Sequence, residues 1–269
     1  MPNFTLKNNE NLSSLSNLAN EIKYSTFRTG GTVSNFSNSK STNGYGFNFW
    51  QLLFNGGKSL IPLFNQQLGF KKNYLDTIGE VVKGNDIIYV VNIFESLDNT
   101  LEGIKILKNH GCNIIALELG NEQYFRTRGL NVKQYLDKCK TFESLSSEYT
   151  LLYQLTTTKP NHQWNDLVIS KDRQYSYHDY SNLYLEFSDN IKKLTEKVPL
   201  KSIWLTEWNH KDAFSDTASY YAYVSDVLSF CKTNKIKNSF HNFIGDTWGI
   251  LSDDLKVRDK LMNLFISKN

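Results

Sequence analysis

The sequence predicts an α/β fold, a (β/α)8 TIM barrel with a short or incomplete first strand. Three observations carry that expectation. Short apolar, β-branched runs alternate with helix-periodic runs along most of the chain, the signature of βαβ units and a parallel sheet. The length, 269 residues, suits one barrel of about 250 residues. No Gly-x-Gly-x-x-Gly turn follows any strand, which disfavours the alternative of an open, doubly wound sheet.

Taken in order, Asn3 to Lys7 is the sole candidate for a first strand. Leu12, Leu15, Leu18, Ala19 and Ile22 recur at helical spacing, and Tyr24 to Arg28 follows as a strand ending in Gly30-Gly31. Residues 29–70 form a long loop rich in Gly, Ser and Asn; Phe36, Tyr45, Phe47, Phe49, Trp50 and Phe54 argue that it folds over one barrel end. Gly57-Lys58-Ser59 resembles the end of a phosphate loop, but Leu52 stands where that motif needs Gly. Tyr74 to Val82 reads as a helix that Gly84 stops, and Asp86 to Phe94 as a buried strand. Asn99 with Glu102 reads as a capping box for the next helix.

Cys112 to Leu119 is a strand that ends abruptly at Gly120-Asn121-Glu122. Asn131 with Gln134 caps a further helix, and Tyr149 to Leu155 is the next strand. An irregular segment with Pro160 and Trp164 precedes a strand near Tyr175 to His178 and a helix carrying Leu183, Phe187, Ile191 and Leu194. Lys201 to Thr206 is a strand ending in Glu207; a helix from Ala218 to Phe230, a strand from Asn238 to Phe243 and a helix with Val257, Leu261, Leu264 and Phe265 complete a single domain over residues 1–269.

Composition narrows the function classes. Hydrophobic residues make up 40% and aromatics 14%, ample for a core, and no apolar stretch approaches the ~18 residues of a membrane span. The 30 basic and 27 acidic residues are scattered without a dense cationic block, so nucleic acid is not expected as a partner. Cys112, Cys139 and Cys231 are widely spaced within expected elements and read as small buried hydrophobes. Met1 to Leu6 lacks a basic segment followed by an apolar one, so no signal peptide is expected; this favours a cytoplasmic or particle-assembled protein.

Two strands end in a glutamate: Leu119-Gly-Asn-Glu122 and Leu205-Thr-Glu207-Trp-Asn209. Strand ends of a parallel barrel converge on one mouth. Two carboxylates meeting there suit glycoside hydrolysis, one protonating the leaving oxygen and the other attacking or activating water. His110, His162, His210 and His241 show no pairing at metal-ligand spacing, and no Gly-x-Ser-x-Gly elbow is present, so neither metal nor cofactor is expected.

These residues resemble the clan-A (β/α)8 glycoside hydrolases, which carry their catalytic glutamates on strands four and seven. Asn121-Glu122 is similar to the strand-four signature, and Thr206-Glu207-Trp208-Asn209 to the strand-seven segment. The resemblance implies that Glu122 is the acid/base, that Asn121 binds the sugar 2-hydroxyl, that Glu207 is the nucleophile and that the mechanism is retaining. Arg28-Thr-Gly-Gly31 resembles the strand-two segment of the heparanase and β-glucuronidase branch, family 79, where the Arg keeps the nucleophile ionised; families 51 and 39 are the other branches it is near. Tyr177-His178-Asp179-Tyr180 resembles the strand-six segment that orients the nucleophile. Asn92, Trp208 and Trp248 complete the expected substrate-binding set, Trp248 as a stacking platform for sugar, with core or rim packing the equal alternative for both tryptophans. The expected partner is a carbohydrate. The rival reading is an inactive barrel that binds glycan or serves as a structural subunit, with protein partners in a larger assembly such as a virion.

Overall fold

The computed structural model describes residues 9–23, 25–41, 44–48, 73–125, 130–158, 162–212, 214–241, 243–244, 248–252 and 254–266. Seven strands, β1 Phe27–Arg28, β2 Asp86–Val91, β3 Asn113–Leu119, β4 Thr150–Leu155, β5 Gln174–Asp179, β6 Ile203–Trp208 and β7 Asn238–Phe240, pair in parallel in their order along the chain. Helices α1 Asn9–Glu21, α2 Tyr74–Val81, α3 Leu97–Asn109, α4 Val132–Cys139, α5 His162–Val168, α6 Tyr184–Thr195, α7 Ala218–Thr233 and α8 Asp259–Phe265 alternate with them. The arrangement is the expected barrel, nearly closed. Ser25 and Thr26 bridge its two ends: the Thr26 backbone N–H and hydroxyl both donate to the Asn238 carbonyl, at 2.7 and 2.8 Å, and the Phe240 N–H donates to the Ser25 hydroxyl at 3.0 Å. Asn3 to Lys7, together with Phe49, Trp50, Phe54 and residues 57–59, lies outside the described residues.

Strand parity sorts the side chains. Leu117 and Leu119 on β3, Leu151, Tyr153 and Leu155 on β4, and Leu205 on β6 join the main core against the helices. The alternate positions Ile88, Ala116 and Leu152 make a separate small cluster inside the barrel. Glu118, two residues beyond Ala116, therefore points inward as well. Register shifts interrupt this parity in β6: Tyr177 pairs with Leu205 but His178 pairs with Glu207, so Thr206 is an extra residue that re-aims the side chains beyond it. A cavity of about 60 Å³ runs along the seam between β1 and β7, lined mainly by apolar residues such as Ile22, Phe27, Phe240 and Phe243 and reaching Arg28 and Glu207.

Local chemistry sets the boundaries. Asn131 and Gln134 form the expected reciprocal capping box of α4. The cap of α3 differs from expectation: Ser96, three residues before Asn99, accepts the Asn99 N–H at 3.3 Å, and Asn99 is buried in the first turn, where its Oδ1 accepts the Lys40 N–H. The segment around Trp164, expected to be irregular, is the short helix α5, fixed by Trp164 and Val168 one turn apart in the core. Cys112, Cys139 and Cys231 are free and buried. Truncating a barrel side chain should cost more than removing a cap. Leu205→Ala is expected to lower the unfolding free energy by about 3 kcal/mol and Asn131→Ala by about 1 kcal/mol, measured as shifts of the urea midpoint at constant slope.

Candidate active site

Four strands and the loops after them deliver a buried charged cluster to the C-terminal mouth of the barrel. Arg28 leaves β1, Glu118 sits within β3, His178 within β5 and Glu207 within β6. Arg28 ties the cluster together. Its Nε and Nη2 donate to the two Glu118 oxygens at 2.6 and 3.0 Å, Nη1 to Glu207 Oε2 at 2.6 Å, and Nη2 also to Asn121 Oδ1 at 2.8 Å. His178 places Nε2 at 3.1 Å from Glu118 and Nδ1 at 3.4 Å from Glu122 Oε1 and 3.9 Å from Glu207 Oε1. Tyr180 donates to Glu207 Oε1 at 2.5 Å.

Burial makes these charges interdependent. For His178, desolvation pulls the pKa down, but Glu207, Glu118 and Glu122 outweigh it and lift it to about 9. An imidazolium therefore bridges Glu118 and Glu122 at neutral pH. Burial likewise opposes charge on Glu118, yet Arg28 and His178 hold it down at about 2. Glu207 follows the same pattern: against desolvation, His178, Arg28 and the Tyr180 hydroxyl keep its carboxyl well below the usual range. His241 goes the other way, pushed down to about 3 by burial. Its Nδ1 lies 2.7 Å from the Tyr180 oxygen. Tyr180 has one proton, and Glu207 takes it, so neutral His241 carries its proton on Nδ1 and donates it to Tyr180.

Glu122 is reached differently. Gly120 and Glu122 both have left-handed backbones, with φ of 79° and 48°. At Gly120 a Cβ would lie 3.0 Å from Gln123 Cγ, besides the cost of the left-handed backbone. At Glu122 the conformation costs about 1–2 kcal/mol and swings the side chain back across the mouth. The Tyr124 hydroxyl contacts Glu122 Oε1 at 3.4 Å. One oxygen of Glu122, one oxygen of Glu207 and one ring nitrogen of His178 lie within 4.8 Å of one another. Such spacing would also admit a metal ion, in competition with Arg28 and Tyr180, which already donate to the two oxygens of Glu207. The glutamates differ in exposure: the side chain of Glu207 is 9% accessible and that of Glu122 17%.

The structure brings together six of the residues singled out in the sequence: Arg28, Asn121, Glu122, His178, Tyr180 and Glu207. Trp248 lies beside them, half-buried, its ring 6.0 Å from that of Tyr180 and 5.3 Å from that of His241. Two others serve elsewhere. Asn92 is buried, donating to the Ser37 carbonyl at 2.9 Å and accepting the Phe94 N–H, so it ties the loop after β1 to the end of β2. Trp208 comes after the inward-facing Glu207 and so points outward; it is fully buried against Phe240, with its indole N–H donated to Asn238. Glu118 and His241 were missed. A carboxylate inside an apolar strand was the available signal for Glu118, because it demands a buried cation. His241 carries no local signal beyond its place after the last strand.

No protein-family model matches the chain, and no curated protein matches it. Among solved structures, the chain is similar to a GH128 exo-β-1,3-glucanase from Aureobasidium namibiae, with TM-score 0.56, 10% identity, and 96% of this chain and 92% of that one covered. It is also similar to the Bacteroides uniformis β-glucuronidase, with TM-score 0.57 and 12% identity; there 94% of this chain spans only 32% of the larger protein. At these identities the likeness is one of fold alone, that of the (β/α)8 barrel.

The charged cluster fixes a pH profile of stability. Folded His178 holds its proton to about pH 9 against an ordinary 6.5, so its contribution is complete below 6.5 and lost as the pH rises through 9. Folded His241 resists protonation down to about 3, so stability falls as the pH drops from 6.5, and Glu118 steepens that loss below its ordinary 4.5. Unfolding free energy is expected to peak near pH 6.5, each histidine contributing at most about 1.4 kcal/mol per pH unit. Urea denaturation across this range checks it, with His241→Asn flattening the acid side between pH 6.5 and 4.5.

Proposed function

We propose that the chain is a retaining glycoside hydrolase acting on a glycan or oligosaccharide, with Glu207 as nucleophile and Glu122 as acid/base. The observation that carries this reading is the approach of the two carboxylates to within 4.8 Å, oxygen to oxygen, at one barrel mouth. Retaining pairs stand about 5–5.5 Å apart and inverting pairs about 6.5–9.5 Å, which leaves room for a water. In the first step Glu207 attacks the anomeric carbon, the glycosidic C–O bond breaks, and the leaving oxygen takes the proton of Glu122. In the second, Glu122 removes a proton from water, whose oxygen attacks the same carbon and releases Glu207.

Each role is supported by what surrounds the residue. Arg28 and Tyr180 hold Glu207 ionised, one on each oxygen, and Glu122 is the more exposed of the pair, as suits an exchange of protons with leaving group and water. Arg28 fixes the amide of Asn121, which the clan-A resemblance assigns to the sugar 2-hydroxyl. Trp248, with Tyr180 and His241, offers the aromatic surface on which a sugar ring stacks. The Arg28 to Gly31 and His178 to Tyr180 segments favour the family 79 branch. A β-linked substrate is the first to try, since the structural neighbours are a β-1,3-glucanase and a β-glucuronidase. The rival reading, an inactive structural barrel, calls for an obstructed mouth or glutamates well beyond the retaining distance, together with an apolar patch for a partner; the spacing of the two carboxylates does not meet the second of these conditions.

A panel of aryl β- and α-glycosides tests the proposal. The wild type is expected to hydrolyse at least one of them with retention, visible by NMR in the first-formed anomer. Glu207→Gln and Glu122→Gln are each expected to lower kcat about 10²–10⁴-fold on an unactivated glycoside. Robust turnover by the Glu207 variant, or an inverted first product, would sink it.

A further inference from the structure

We infer that Asn35 and Gln154 are positioning residues for Glu122, two buried amides that pin the peptide planes on either side of it; this rests on the acid/base role given to Glu122 above. The backbone torsions of Glu122 are rotations about the bonds joining its Cα to those two planes, and its φ of 48° lies in the left-handed region that residues other than glycine adopt uncommonly. The preceding plane is held through the Asn121 carbonyl, which accepts from Asn35 Nδ2 and from Gln123 Nε2, both at 3.1 Å. The following plane is held through the Gln123 N–H, donated to Gln154 Oε1 at 2.7 Å.

Asn35 makes three hydrogen bonds to the turn and Gln154 two. Asn35 Oδ1 also accepts the Asn121 N–H at 3.1 Å and Gln123 Nε2 at 2.7 Å. Gln154 Nε2 also donates to the Leu119 carbonyl at 3.1 Å, the last residue of β3. The two come from opposite neighbours, Asn35 from the 3-10 turn after β1 and Gln154 from β4. Both are at most 5% exposed, so the bonds they make with the turn are shielded from competing water. A fixed φ and ψ at Glu122 aims its carboxyl at the glycosidic oxygen, and proton transfer depends steeply on that aim.

The consequence is selective. Loosening the turn should impair proton donation to poor leaving groups and spare leaving groups that need no proton. Asn35→Ala and Gln154→Leu are compared with wild type and Glu122→Ala on 2,4-dinitrophenyl and phenyl glycosides of the sugar the wild type accepts. Rates are normalised to sites titrated by burst release from the matching 2-fluoro dinitrophenyl glycoside, so that unfolded protein is not counted. Both amide variants are expected to lose about 10–100-fold in kcat/KM, which reports the first step alone, on the phenyl glycoside while staying within about threefold in kcat/KM on the dinitrophenyl glycoside. An equal loss on both substrates, no loss on either, or variants that cannot be labelled at all would overturn the inference. If Glu122→Ala itself shows no dependence on the leaving group, the acid/base assignment fails instead, and the two failures are told apart.

Discussion

The structure depends on one guanidinium. Arg28, at the end of a two-residue strand, carries its side chain into a buried site where it pairs with the carboxylates of Glu118 and Glu207, each at 2.6 Å. A cation so enclosed is tolerable only when fully paired, and losing one partner of a buried pair costs about 3–5 kcal/mol. That requirement reaches across the barrel: β1, β3 and β6 must bring their side chains to the same level. Two carboxylates this close would otherwise repel, so the same cation that anchors the fold keeps a pair of anions usable at its mouth.

Regular strands alone would not produce the site. Parity would send Glu207 outward beside Leu205, and the extra residue at Thr206 reverses it. On β3 the strand simply ends, and a left-handed turn brings Glu122 back over the opening. Both catalytic candidates are therefore placed by local departures from repeat geometry, as expected where chemistry competes with regular structure. Neutral His241 and charged His178, two imidazoles in one pocket, show how far burial and neighbouring carboxylates can separate groups that titrate alike in water.

Much of this was legible in the chain. Parallel strands covered on both faces must be apolar runs and the helices must show their periodicity, so the order of elements could be read directly. Arg28, His178, Glu122 and Glu207 stood out because they interrupt or terminate such runs. Glu118 interrupts one too, but it lies inside its strand, where a lone carboxylate does not by itself mark the mouth. Trp208 could be assigned to the core only once the bulge in β6 was known. Helix α5 is short, and of its three hydrophobic residues only Trp164 and Val168 are buried while Leu167 is exposed, so its apolar stripe is too brief to read. Asn35 and Gln154 act on backbone groups 86 and 31 residues away, and nothing in residue type announces such a contact.

The seam between β1 and β7 has a further meaning. Ser25 and Thr26 close the barrel there with a few hydrogen bonds to β7, beside a cavity, where the other strands share ladders. Among the described residues it is the join of the wall with the fewest strand hydrogen bonds, and Arg28 hangs from it. Thermal breathing should part this join first, drawing the guanidinium away from Glu207 while the rest of the barrel stays folded. Loss of the Arg28–Glu207 pair would then precede melting, and its rate would report on the join rather than on the core.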